Sequence, residues 1–293
     1  MIEKNSDNIR GAFFMAACMA AFGINDALMK LGSDHFSLVQ AIFVRSIFTT
    51  VLIGAFAYYK GAFKSVVPSK DRKLIAVRVA AEVCGAYFFL TAIFNMPLAN
   101  ATAILQSLPL AVTLGAGLFL GEKIGWRRYG AILIGFTGVL IIVRPGAEGF
   151  NSYAFYAIAA IGFIVVRDLS TRRISSSVSS LMVSFLTSLA IMIVAGALLP
   201  FSEWTPLSVH NVSFLMAASF FVVFGYVLSV SSVRIGEIAF VSPFRYTILL
   251  WSILLGIVLF GDYPDQWTIV GSSIVVAMGI YTFYREQKRS KAL

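Results

Sequence analysis

Ten stretches of the chain are too apolar to face water: 11–31, 37–59, 74–95, 98–120, 127–143, 150–167, 178–199, 212–233, 237–260 and 266–284. A helix crossing the ~30 Å hydrocarbon core needs about 20 mostly apolar residues, with every backbone N–H bonded inside the segment. Each stretch therefore predicts a transmembrane helix. A transmembrane barrel would read as short alternating segments of about ten residues, a pattern this sequence lacks. Composition agrees: 59% of the 293 residues are hydrophobic and 13% are charged, against roughly 25% charged in a soluble domain. The expected class is an all-α integral membrane protein. Ten spans use about 200 residues, which leaves short connections rather than a soluble catalytic domain.

The basic residues orient these spans. With the N-terminus in the cytoplasm, eighteen of the 23 Lys and Arg fall in inside segments, only Lys30 and Arg144 fall outside, and Arg45, Arg78 and Arg245 fall within helices. Such a split is a positive-inside signal and requires an even number of spans. Both termini are then cytoplasmic, with a tail at 1–10 and a basic tail at 285–293. The net charge of +9 reflects loops facing anionic lipid, not a nucleic-acid surface. The opening twenty residues read as an uncleaved first helix rather than a signal peptide, because nine further spans follow. Cys18 and Cys84 lie inside predicted helices and read as packing thiols, with no metal site.

The two halves repeat one another. Gly121-Glu122 is followed by Trp126, Gly130 and Gly138; Gly261-Asp262 is followed by Trp267, Gly271 and Gly279. Gly23 aligns with Gly162 and Arg45 with Ser184, so one pattern recurs at an offset of 139–141 residues. A repeat of that length implies two structural units, 11–144 and 150–284, of five helices each. Five is odd, so the second unit must cross the bilayer inverted with respect to the first. Inverted repeats belong to secondary transporters, which bind substrate near the midplane between the halves.

Two five-helix repeats, each closing on a Gly-acid corner, an aromatic and a glycine-spaced last helix, resemble the ten-helix EamA branch of the drug/metabolite transporter superfamily. Asn25-Asp26, Lys30, Arg45, Arg78 and SPFRY at 242–246 ahead of GDYPD at 261–265 are similar to S-adenosylmethionine transporter-like members. The resemblance implies a bacterial inner-membrane carrier whose central cavity is lined by helices 1–4 and 6–9.

Charges inside hydrocarbon cost ~3 kcal/mol or more each unless paired or hydrated. Counting ~1.5 Å per residue from the helix ends puts Asp26 and Arg45 at matching depths near the outer side, with Lys30 four residues on as a competitor. The same count puts Glu82 and Arg245 at matching depths near the inner side. Arg78, four residues before Glu82, is the local alternative. These residues are either gate and substrate contacts or static polar glue, with Arg78 snorkelling to the cytoplasmic face. Asp26 and Glu82 are the candidates to carry a coupling proton. Pro109 and Pro243 fall in equivalent helices and are hinge candidates, since proline frees the carbonyl four residues earlier. Asn25, Gln106, Tyr87, Tyr226, Tyr246 and Trp251 complete the candidate substrate contacts.

An enzyme is disfavoured: His35 and His210, the only histidines, fall in loops, and no phosphate-binding GxxxxGK[ST] loop is present. The expected function is secondary transport, by alternating access, of an amino-acid-like or heteroaromatic metabolite such as an amino acid, S-adenosylmethionine or riboflavin. Protons or a counter-substrate drive it, no cofactor takes part, and the protein works as a monomer or homodimer. A passive channel or facilitator is the alternative, although no filter or ring of like charge is visible.

Overall fold

A computed structural model describes residues 2–64, 67–122, 125–146, 150–175, 177–235 and 238–290. Lys123 and Lys291, two of the cations used for orientation, lie outside these. Twelve α-helical segments build ten spans long and apolar enough to cross a membrane, and no strand occurs among the described residues. The segments are α1 (Ile2–Gly32), α2 (Leu38–Tyr59), α3 (Ser69–Asn95), α4 (Leu98–Leu105), α5 (Leu108–Leu120), α6 (Trp126–Val143), α7 (Ala154–Arg173), α8 (Ser180–Leu198), α9 (Val209–Ile235), α10 (Ile238–Val241), α11 (Thr247–Leu255) and α12 (Gln266–Ser290). The chain is an all-α, multi-pass membrane protein.

Several ends differ from expectation. The predicted 1–10 tail is already helical from Ile2, and the 285–293 tail continues α12 to Ser290. The sixth span runs to Arg173 instead of stopping at 167, because its last turns carry Arg167, Asp168, Arg172 and Arg173, which end the apolar signal but not the helix. Two spans are not single helices. The fourth breaks between α4 and α5, and the ninth consists of α10, a 3₁₀ turn at Ser242–Tyr246, α11 and a π-helical turn at Gly256–Phe260.

The most extensive packing joins the first five spans to the last five: α1 on α9, α3 on α7, α2 on α8 and α6 on α12. Exchanging the halves maps this set onto itself. The pairing of spans one and eight corresponds to that of three and six, while two-seven and five-ten correspond to themselves. Secondary pairings follow the same rule, with α11 on α1 and α5 on α7.

Successive spans alternate in direction, so the C-terminal end of α1, at Lys30, and that of α7, at Arg172 and Arg173, lie on opposite faces. They are called here the Lys30 face and the Arg172 face. The Gly-acid corners close α5 and the ninth span in the same way, except that the Gly261 N–H also bonds the Ile257 carbonyl at 3.1 Å. Gly121 and Gly261 both take φ +68°, a conformation that costs an L side chain about 1–2 kcal/mol. Each glycine N–H bonds the carbonyl five residues back, Ala116 or Gly256. The following acid's N–H returns to that same carbonyl, Glu122 to Ala116 at 3.3 Å and Asp262 to Gly256 at 3.0 Å.

The α6–α12 crossing is set by glycine. A Cβ on Gly138 would lie 2.8 Å from the Gly271 carbonyl oxygen, and one on Gly271 would lie 2.5 Å from that of Gly138. Backbone cannot retreat as a side chain can. Gly271→Ala is therefore expected to lower thermal stability by roughly 1–3 kcal/mol, whereas Gly130→Ala, whose Cβ meets open space, leaves the melting temperature unchanged or slightly higher. Unfolding of the two purified variants in detergent checks the contrast.

Candidate substrate site

Glu82 stands midway along α3, thirteen residues from Ser69 and from Asn95, or roughly 20 Å from each end at the helical rise. A carboxylate at that depth needs a cation, and Arg167 of α7 supplies it. Arg167 Nη1 donates to Glu82 Oε1 at 3.1 Å and Oε2 at 3.2 Å, while its Nε donates to Asp168 Oδ1 at 2.8 Å. The three side chains are 22–34% exposed, so protein does not seal them. Charges left part-exposed within a span need water or polar protein groups beside them. Tyr226 of α9 lies within electrostatic reach of Glu82, Arg167, Arg78 and Asp168, and packs edge-on to Phe22 of α1 at 6.2 Å.

This corrects the expected Glu82–Arg245 pair and its Arg78–Glu82 alternative. Arg78 is buried and does not snorkel. Its Nε donates to Thr171 Oγ1 at 3.1 Å and its Nη1 to Thr187 Oγ1 at 2.6 Å, tying α3 to α7 and α8. Arg167, the last residue of the predicted 150–167 stretch and counted there only toward the inside charge, is the cation paired with Glu82. The usable signal was the Arg167-Asp168 doublet, which helical spacing puts one and a half turns before the end of α7.

A second polar group lies toward the Lys30 face. Asp26 is buried, Asn25 Nδ2 donates to its Oδ1 at 2.8 Å, and Arg45 Nη1 donates to Asn25 Oδ1 at 3.2 Å. Asp26 and Arg45 thus communicate through the Asn25 amide rather than touching as expected. Ser219 of α9 donates to the Arg45 carbonyl at 2.9 Å. Lys30 turns away from Asp26: it donates to the Met96 carbonyl at 2.6 Å, pairs with Asp262 at 3.5 Å and lies over the Phe260 ring.

The breaks in the fourth and ninth spans meet. Gln106 Nε2, at the C-cap of α4, donates to the Arg245 carbonyl at 3.4 Å, and the two residues are 139 apart, the offset that relates the halves. Pro109 and Pro243 each sit in the first turn beyond the respective helix end. Ser252 donates to Thr102 at 3.1 Å nearby. The Arg245 side chain is exposed, with no carboxylate paired to it among the described residues.

The aromatic candidates separate. Trp251 packs with Met15, Cys18 and Met19 between α11 and α1. Tyr246 is buried with its hydroxyl against Gly279 of α12. Tyr87 is exposed on α3 beside Val39, Ile191 and Leu198. Of the four, Tyr226 alone lies with the charged cluster. Gln40 was not anticipated: fully buried, it donates to the Thr205 carbonyl at 2.7 Å and accepts from the Thr205 N–H at 2.9 Å. Among the described residues no group of three or more metal-ligating side chains occurs, and both cysteines are free thiols.

The sequence profile of the EamA-like transporter family matches this chain twice, at 9–144 and 151–284. The chain belongs to the EamA-like transporter family. It is a membrane transporter, not an enzyme. Similar proteins include the riboflavin transporter of Vibrio cholerae serotype O1, 26% identical and covering 97% of this chain and 96% of that protein. The S-adenosylmethionine uptake transporter of Rickettsia bellii is 24% identical over 90% of each chain. The pseudopaline exporter CntI of Pseudomonas aeruginosa strain UCBPP-PA14 is 25% identical over 91% of this chain and 93% of that one. A solved crystal structure shares the fold with a TM-score of 0.62 at 14% identity, covering 97% of this chain and 99% of that chain.

Outside the spans, Asp265 caps α12 and pairs with Arg144. Burial pushes its carboxyl up, but the Thr268 N–H at 2.7 Å, the Thr268 hydroxyl and the Arg144 guanidinium outweigh that and hold it below the usual carboxylate range. A depressed folded value contributes stability that is present above the unfolded pKa, about 3.9, and is lost as the pH falls through the folded one. Asp265→Asn is expected to flatten the fall in melting temperature between about pH 5 and pH 3, measured by thermal unfolding across that range.

Proposed function

We propose that this chain is a secondary carrier that moves a small zwitterionic or heteroaromatic metabolite across the bacterial inner membrane by alternating access. Two inverted five-helix units, 11–144 and 150–284, rock about a site at mid-depth. One observation carries this reading: the Glu82–Arg167 pair joins one half to the other within the spans and is only partly covered by protein. A substrate ammonium suits Glu82 and Asp168, and a substrate carboxylate suits exposed Arg245, with Gln106 beside it. Tyr226 offers a ring for a planar group to stack on. Riboflavin, S-adenosylmethionine and pseudopaline, the cargoes named for the relatives, lie within this chemical range. The basic Arg172 face is the cytoplasmic one by the positive-inside rule, with both termini on that side.

Asp26 carries the coupling proton in this scheme. Glu82 is committed to Arg167, whereas Asp26 meets a neutral amide and has Arg45 one group away, with Ser219 of α9 donating to the Arg45 carbonyl.

Thermal stabilisation across a metabolite library identifies the ligand, because a ligand that binds only the folded state raises its stability. With that ligand in proteoliposomes, saturable uptake and counterflow are expected; non-saturating flux would instead make the protein a pore. Glu82→Gln and Arg167→Ala are each expected to weaken binding about tenfold or more, the cost of stranding a buried charged partner. Asp26→Asn is expected to retain counterflow and lose accumulation against a gradient; unchanged accumulation removes Asp26 from the coupling step.

A further inference from the structure

The two Gly-acid corners are alike in backbone, and each acid reaches across to the same element of the opposite half. Asp262, of the second half, pairs with Lys30 in the last turn of α1, the first span of the first half. Glu122, of the first half, pairs with Arg172 in the last turn of α7, the first span of the second half, at 3.3 Å. Arg173 adds a bond to the Phe119 carbonyl at 3.2 Å, as Lys30 adds its bond to the Met96 carbonyl. The two pairs lie on opposite faces. Both join halves that must separate on one face while they close on the other.

They differ in how tightly they are held. On the Lys30 face the two side chains are 14% and 31% exposed, and on the Arg172 face 50% and 49%. The Lys30 face also carries further cross-half bonds: Gln40 with Thr205, Asn151 with the Asn95 carbonyl at 2.9 Å, Thr268 with Asn100 at 3.2 Å, and Arg144 with Asp265. On the Arg172 face the corner pair Glu122–Arg172 is exposed and contributes little in water, and the buried cross-half bonds there run from Arg78 to Thr171 and Thr187 and from Ser232 to the Gly11 carbonyl.

The geometry points to Asp262–Lys30 and Glu122–Arg172 as reciprocal latches, with the two corner acids as positioning residues that set which face of the carrier is open. This rests on the alternating-access reading above and says what biases its two states. The left-handed glycine in front of each acid fixes the direction of the carboxylate, so each latch forms only when the opposing first span is drawn in. Removing one latch frees its own face to open and, because the halves move as bodies, favours closure of the other.

Single cysteines report each face: Ala27→Cys on α1 and Leu169→Cys on α7, both buried, read as the rate of maleimide labelling of the full-length protein above the background of native Cys18 and Cys84. Asp262→Asn is expected to speed labelling at position 27 and slow it at 169, and Glu122→Gln to do the reverse, by about two- to fivefold each. The exchange Lys30→Asp with Asp262→Lys is expected to return both rates to those of the parent. Shifts in the same direction at both positions, or no shift in either acid variant, overturn the latches. Counterflow of the stabilising ligand by the parent, measured alongside, separates the two claims: its absence overturns the carrier reading, while intact counterflow with unshifted labelling overturns the latches alone.

Discussion

An ionised side chain in hydrocarbon demands either a partner or water, and the rest of this structure follows from how that demand is met. Glu82 at mid-depth is paired across the halves to Arg167, and Arg78 is satisfied by two threonine hydroxyls from separate helices. Each charge is met by partners on other helices, so each acts as a constraint on how α3, α7 and α8 pack. The polar residues thus do two things at once. They select the helix neighbours, and they leave a polar, part-exposed seam between the halves.

The seam is also where backbone regularity is given up. Helix breaks in a membrane survive only where protein or water satisfies the freed groups. Here the fourth and ninth spans break at positions 139 residues apart and lean on one another through Gln106 and the Arg245 carbonyl. Two breaks that would each be costly alone share one hydrogen bond at the centre. The tight contacts lie elsewhere, in the glycine crossing of α6 on α12, so a closely packed pair of end helices flanks a more openly built middle.

Much of this was legible in the residues. Hydropathy placed ten spans, and the recurrence of Gly121-Glu122 and Gly261-Asp262 located corners that share the left-handed glycine and the acid N–H bond to the carbonyl six residues back. The polar partners were less legible, for identifiable reasons. Depth counting compares distances along helices but not the faces on which residues lie, so it matched Glu82 with Arg245 when Arg167 was the cation across the gap. Arg167 was hidden because the hydropathy signal fades before α7 ends. Asp26 and Arg45 did prove close, with Asn25 inserted between them, a one-residue detail that spacing cannot resolve. Gln40 sent no signal, since one amide in an apolar helix looks like any other until its fixed partner, the Thr205 backbone, folds over it.

The bond between the two broken spans uses the main-chain oxygen of residue 245 and leaves that residue's side chain exposed. In the proposed carrier, mechanics and recognition are therefore carried by different atoms of one residue. A substitution at 245 alters the charge offered to a cargo while the acceptor that holds the two broken spans together stays in place. A scaffold wired this way can change what it carries by drift at a few side chains without rebuilding the hinge, and that suits a fold whose relatives, at about a quarter identity, bear the names of quite different cargoes.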